Sequence, residues 1–252
     1  MYGTTTEGGN GVGTVFKLTL NPSTGTYTES VLHTFGTKGF NDGHFPVAGL
    51  LQDARGNLYG TTEHGGNVCN EGTVFKLTFN PSTGTYTESV LYEFGSNGVT
   101  DGARPTAGLI QDKSGNLYGT TTEGGNGVGT VFKLTLNALG AYTESVLYRF
   151  GAIGFPQAEL LQDIQGNLYG TTEHGGQHNH GSVFKLTLNP SSGTYTESVL
   201  HAFAGERDGA APLAGLILDA SGHLYGTTYS GGGNASGNAD GTVFEITPET
   251  NL

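Results

Sequence analysis

The sequence predicts an all-β protein: a β-propeller of five four-stranded antiparallel blades, with the first and last blades incomplete. Three observations carry this. One unit of roughly fifty residues recurs along the 252-residue chain. Each unit holds four short apolar runs separated by turn-forming sequence. No helix-length stretch keeps a helical period without a glycine or a turn.

The unit is read from its most regular string. Tyr-Gly-Thr-Thr begins at Tyr2, Tyr59, Tyr118, Tyr169 and Tyr225. Each copy is followed by Gly-Gly and then by G-T-V-F-K-L or a near match, starting at Gly13, Gly72, Gly129, Gly181 and Gly241. T-E-S-V-L follows the first four copies and runs on to Phe35, Phe94, Phe150 and Phe203. A-(G/E)-L-(L/I)-x-D precedes the last four and ends at Asp53, Asp112, Asp163 and Asp219.

In the second unit, run A is Val47–Asp53, B is Asn57–Thr62, C is Gly72–Phe79 and D is Tyr86–Phe94. Each is of strand length and is either alternating or continuously apolar. In C, Phe75 and Leu77 share one face and Val74 and Lys76 the other. In D, the alternation places Tyr86, Glu88, Val90 and Tyr92 together. The A–B connection, Asp53-Ala-Arg-Gly-Asn57, is a turn: the Asp caps it and the Gly supplies positive φ. Asn80–Thr85 is a turn between C and D. The B–C and D–A connections are longer and rich in glycine. Four antiparallel strands in a repeat of this length make a propeller blade.

The chain has five B and five C runs but only four A and four D runs, eighteen where five full blades need twenty. It reads as a single repeat domain, 1–252, with units at 1–46, 47–105, 106–156, 157–212 and 213–252. Met1 stands where the other copies have Leu58, Leu117, Leu168 and Leu224, which suggests a fragment of a longer extracytoplasmic protein whose export signal lies upstream. The alternative is a complete five-bladed ring with a defective closing blade.

Composition narrows the function. Glycine numbers 45 residues and charged residues are only 13%, against usual shares of about 7% and about 25%. The net charge of −12 disfavours nucleic acid and anionic lipid. No segment approaches a membrane span. The single cysteine, Cys69, allows no internal disulfide.

The pattern G-N-L-Y-G-T-T-x-x-G-G, followed by G-T-V-F-K-L, resembles the Gloeobacter/Verrucomicrobia repeat of choice-of-anchor tandem-repeat proteins. It matches at Asn57–Leu77, Asn116–Leu134, Asn167–Leu186 and His223–Ile246, and in part at Met1–Leu18. The resemblance implies a bacterial, secreted or surface-attached protein. It brings no activity and no catalytic residues.

The longer B–C and D–A loops emerge on one face of such a fold, so a ligand site is expected there. The B–C loops carry Glu7, Glu63 with His64, Glu123, and Glu173 with His174; the D–A loops carry Asp42, Asp101 with Arg104, and Asp208. A ring of carboxylates and imidazoles can bind sugar hydroxyls or a hard cation such as calcium. The plainer reading is a set of hydrated turn residues, copied with the repeat. His174, His178 and His180 have a spacing compatible with a metal, although loop histidines are usually only hydrated. No cofactor is otherwise called for.

No catalytic residue is assigned. Glu159 is the only candidate: it replaces Gly49, Gly108 and Gly215 in the inner run. Glycoside hydrolysis needs at least a second acid at a set distance. Glu29, Glu88, Glu144 and Glu197 recur in run D and are expected to protect an exposed edge.

The leading expectation is a non-enzymatic extracytoplasmic propeller whose loop face binds a glycan or a cell-surface protein. The alternatives are a structural unit that self-assembles through unpaired edge strands into an oligomer or filament, and a carbohydrate-active enzyme.

Overall fold

The computed structural model describes residues 1–66, 69–125, 127–151, 154–233 and 240–247. Among the described residues, five antiparallel sheets of three or four strands follow one another along the chain, and a sixth, two-stranded one pairs Gly102–Ala103 with Glu123–Gly124. The first comprises Tyr2–Thr5, Thr14–Asn21 and Thr26–Thr34. The second comprises Leu51–Gln52, Leu58–Thr62, Thr73–Asn80 and Thr85–Glu93. The third comprises Ile110–Gln111, Leu117–Thr121, Thr130–Leu136 and Tyr142–Arg149. The fourth comprises Leu161–Gln162, Leu168–Thr172, Ser182–Leu188 and Tyr195–Ala202. The fifth comprises Ile217–Leu218, Leu224–Thr227 and Val243–Ile246. Run A is shorter than its sequence suggests, since only two of its residues pair. In the second unit it opens behind Pro46 and carries Gly49, neither of which supports a ladder.

Each letter of the repeated motif has a physical task. The tyrosine hydroxyl donates to the turn aspartate, as Tyr118 does to Asp112 at 3.0 Å, and its ring lies under the lysine of run C, Lys133 Nζ being 5.4 Å from the centroid. The glycine lies opposite the phenylalanine of run C, and a Cβ at Gly119 would stand 2.7 Å from the Phe132 ring. The first threonine reaches the next sheet: Thr61 Oγ1 donates to the Ala107 carbonyl at 2.9 Å. The second pairs across strands, Thr121 Oγ1 to Thr130 Oγ1 at 2.8 Å. The aspartates cap the A–B turns as expected. Burial alone would lift the Asp112 carboxyl, but hydrogen bonds from Asn116, Tyr118 and Ser114 hold it below the usual range.

The core lies between sheets. Leu58, Phe75 and Leu77 of the second sheet pack on Val15 and Phe35 of the first. Leu109, Leu117, Phe132 and Leu134 of the third pack on Tyr59, Val74 and Phe94 of the second. The same arrangement joins the third sheet to the fourth and the fourth to the fifth. At each seam the earlier sheet therefore presents its Tyr, Val and the Phe that ends run D, and the later sheet its leucines and the Phe of run C.

Run D departs from the sequence reading in two ways. A bulge between Val74 and Phe75 aligns Val90 with Phe75 but Tyr92 with Val74. Tyr92 thus joins the opposite face from Tyr86, Glu88 and Val90. The run D glutamates of the second and third sheets also do not guard an edge. Glu88 is nearly buried and takes a 2.7 Å bond from Lys38, held on the preceding sheet's D–A connection. Glu144 keeps one carboxylate oxygen buried without a hydrogen-bond partner among the described residues. Burial, helped by the charge of Asp101, pushes its pKa up to about 7. The folded protein therefore holds a proton that the unfolded chain sheds near pH 4.5, and Glu144 costs stability as pH rises from there to about 7. Glu144→Gln is expected to stabilise the protein by about 1 kcal/mol at pH 8, the value being reduced for partial solvation. It should bring no gain at pH 4, as urea unfolding at the two pH values will show.

Candidate functional site

The D–A loop that ends one unit lies against the B–C loop of the next, and the two are joined by backbone hydrogen bonds. Glu63 N donates to the Phe45 carbonyl at 3.0 Å, and His44 and His64 exchange backbone bonds at 2.8 and 3.1 Å. Thr122, Glu173 and Tyr229 donate in the same way to Arg104, Phe155 and Ala211. The four acceptors share an uncommon conformation, with φ of 58°, 56°, 57° and 54° at Phe45, Arg104, Phe155 and Ala211. Each precedes a proline, at 46, 105, 156 and 212. Left-handed backbone at a non-glycine residue persists only where its surroundings enforce it, and it gathers at binding sites.

These loops bring two similar assemblies together. At the B–C loop of the second unit the Phe45 ring packs edge-on against His64 at 5.7 Å, and Glu63 Oε1 lies 3.7 Å from His64 Nε2. At that of the fourth, the Phe155 ring packs against His174 at 5.5 Å, Glu173 Oε1 lies 3.8 Å from His174 Nε2, and Gln157 donates to the other oxygen of Glu173. At that of the third, Arg104 takes the place of the phenylalanine. Its guanidinium lies 4.0 Å from Glu63 and 3.3 Å from Glu123, which ties the second unit to the third. Glu7 is exposed in the corresponding loop of the first unit. Sequence reasoning named the carboxylates, His64, His174 and Arg104, but missed Phe45, Phe155 and Gln157. The recurrent residue-before-proline was the available signal.

The aspartates have another task. Asp42 is fully buried and accepts from Gly36 N at 3.1 Å and Thr37 Oγ1 at 3.0 Å. Asp101, also buried, accepts from Tyr92 Oη at 2.8 Å and Asn97 N at 3.2 Å. Asp208 accepts from Ala204 N at 2.7 Å and lies 3.0 Å from His201 Nε2. All three shape the D–A loops from within.

His174, His178 and His180 do not form a metal cluster. His178 and His180 are exposed, the His180 ring lies against Gly205, and no three His, Cys, Asp or Glu side chains among the described residues could hold a metal ion together. Glu159 projects over Gly108 of the neighbouring sheet, where a Cβ would stand 3.1 Å from its carboxylate. Burial raises its pKa. It lines a cleft of about 450 Å³ with Gln111, Gln162 and Gly215. A wider cleft of about 800 Å³ opens toward the A–B and C–D turns, between the third and fourth sheets, with Lys133, Tyr118 and Tyr195 in its wall.

The profile of the Gloeobacter/Verrucomicrobia repeat matches residues 1–154 and 80–252. No curated protein matches the chain. Among solved structures, a luciferin-regenerating enzyme is 12% identical with a TM-score of 0.55, over 96% of this chain and 76% of that one. A gluconolactonase from Xanthomonas campestris is 14% identical with a TM-score of 0.52, over 93% and 69%. A Dyadobacter fermentans protein of unknown function is 14% identical with a TM-score of 0.53, over 96% and 73%. At these identities the likeness concerns the fold alone.

Proposed function

Because the chain belongs to the Gloeobacter/Verrucomicrobia repeat family, we propose that it is a bacterial, extracytoplasmic, non-enzymatic β-propeller whose loop face binds a glycan. Each of its five units contributes one sheet to this reading, as a single repeat domain. The supporting observation is the pairing of an aromatic surface with a carboxylate in the same loop pair: Phe45, His64 and Glu63 at one, Phe155, His174 and Glu173 at another. A sugar offers an apolar face of C–H groups and an edge of hydroxyls, and such a pair meets both. Backbone bonds and a following proline hold the aromatic residue, so little ordering is left to binding. The pairs recur, so several weak sites acting together give avidity.

An enzymatic reading lacks support. Glu159 is the single acid that breaks the inner-run pattern, whereas glycoside hydrolysis needs a second carboxyl at a set distance. A glycan array screened with and without calcium tests the proposal. Retention of a defined oligosaccharide is expected, and the combined change Glu63→Gln with Glu173→Gln should weaken it roughly tenfold or more while the fold is kept. Absence of any glycan retention, or retention unaffected by the double change, would remove the reading.

A further inference from the structure

The A–B and C–D turns, on the side opposite the loop pairs, border two clefts that share a wall. One, of about 410 Å³, lies between the second and third sheets, and the other, of about 800 Å³, between the third and fourth. Gln111, Asp112, Lys113 and Ser114, at the A–B turn of the third sheet, line both. Each cleft repeats one arrangement, in which the motif tyrosine and run C lysine of the earlier sheet meet the run D tyrosine of the later one. These are Tyr59, Lys76 and Tyr142 in the smaller cleft, and Tyr118, Lys133 and Tyr195 in the wider.

The charges in these clefts differ in how far they are engaged. Asp53, Asp112 and Asp163 each accept four hydrogen bonds from their own turn and run B. At Asp112 they come from Ser114 N at 2.9 Å, Asn116 N at 3.0 Å, Asn116 Nδ2 at 2.7 Å and Tyr118 Oη at 3.0 Å, and the other two match. Their acceptor capacity is spent on the turns. Arg55, Lys76, Lys113 and Lys133, in contrast to Lys38 and Arg104, form no ion pair among the described residues. Lys76 and Lys133 rest over the Tyr59 and Tyr118 rings at 5.4 Å. A ring face attracts the charge but accepts no conventional hydrogen bond, so the ammonium protons are left for another acceptor. Four of the ten lysines and arginines thus gather in two adjoining clefts of a chain whose net charge is −12.

We propose that these two clefts bind an acidic oligosaccharide, with carboxylate-bearing sugar units, laid across the A–B turn of the third sheet. The free cations take the carboxylates in charge-assisted hydrogen bonds. Gln111, Gln162 and Ser145 offer partners to hydroxyls, and Ile164, 98% exposed at the wider cleft, offers a surface to the C–H face of a ring. The capped aspartates keep their charge, so the clefts suit a sparse anion with one carboxylate per unit and not a dense phosphate backbone. Two clefts with a common wall let one chain engage both, which strengthens binding without further contacts. This site is separate from the loop face and stands without it.

Isothermal titration calorimetry of the full chain with tetragalacturonate tests the proposal. A Kd of about 1 mM or tighter is expected, weakened about threefold or more between about 50 and 500 mM salt. The methyl-esterified tetramer keeps the hydroxyls without the charge, and tetraglutamate keeps the charge without the sugar. Each should bind about tenfold more weakly or worse. Lys113→Gln, at an exposed position common to both clefts, should weaken binding of tetragalacturonate about tenfold, and Lys133→Gln about as much. Arg207→Gln, which removes an exposed cation from a D–A loop, should leave it unchanged. Circular dichroism of each variant separates lost binding from lost folding. Absence of heat up to about 10 mM tetragalacturonate overturns the proposal. Equal binding of the ester or of tetraglutamate overturns it too, as does binding untouched by both lysine changes, which would put the tetramer on another surface.

Discussion

Alanine in place of Gly129 is expected to cost about 3–5 kcal/mol, a large fraction of the stability of an ordinary domain. Gly129 opens run C of that sheet at φ of +111°, and an added Cβ would lie 2.1 Å from the Thr121 carbonyl oxygen and 2.9 Å from Pro156 Cδ. Neither neighbour can retreat. Thr121 is fixed in the ladder opposite Thr130, and Pro156 anchors the next D–A loop against the site. Gly140 provides the comparison: φ there is +82°, but nothing lies within 4 Å. Gly140→Ala should cost only the left-handed conformation, about 1 kcal/mol. Urea unfolding of the pair separates steric conflict from backbone preference, and equal losses would show that the close approach is not what the glycine serves.

Phe132→Ala should be almost as damaging, at about 3–5 kcal/mol. The ring is fully buried, packs edge-on against Phe94 at 5.0 Å, and closes over Gly119. Its removal opens a void at the seam between the second and third sheets and strips the cover from a glycine strand. Phe244 holds the same position in the fifth sheet and meets Phe203 at 5.1 Å, yet it is only half-buried. Phe244→Ala should therefore cost roughly half as much. Thermal unfolding of both variants tests whether burial at a seam, and not the motif itself, sets the contribution of each copy.

The strands were legible because their periodicity is local. Eighteen runs were expected and all appear, since Tyr-Gly-Thr-Thr and G-T-V-F-K-L fix the alternation residue by residue. The face of Tyr92 was not legible, because the bulge that turns it follows from pairing geometry between Val74 and Phe75. The run D glutamates of the second and third sheets were misread for a related reason. A strand outermost in its own sheet resembles an edge, but neighbouring sheets stack over it and bury Glu88 against Lys38. At the loop face the charged residues stood out as departures from apolar sequence. Phe45 and Phe155 did not, because their importance lies in φ, which a sequence shows only through the proline that follows. The aspartates Asp42 and Asp101 looked like ligands but serve as internal loop anchors, a distinction that depends on burial.

The left-handed residue before each loop proline has a consequence for how such a protein diversifies. Phenylalanine, arginine, phenylalanine and alanine occupy this position in the four units where it occurs, with φ within a few degrees of one another. The backbone bond to the B–C loop and the proline ring set the conformation, so different side chains are accepted there. A copy made by gene duplication can change the side chain it presents on the loop face at this one codon, except at Arg104, whose ion pairs with Glu63 and Glu123 join two units. The same freedom suits an engineer: a library confined to Phe45, Phe155 and Ala211 would vary the loop face on a scaffold that stays constant.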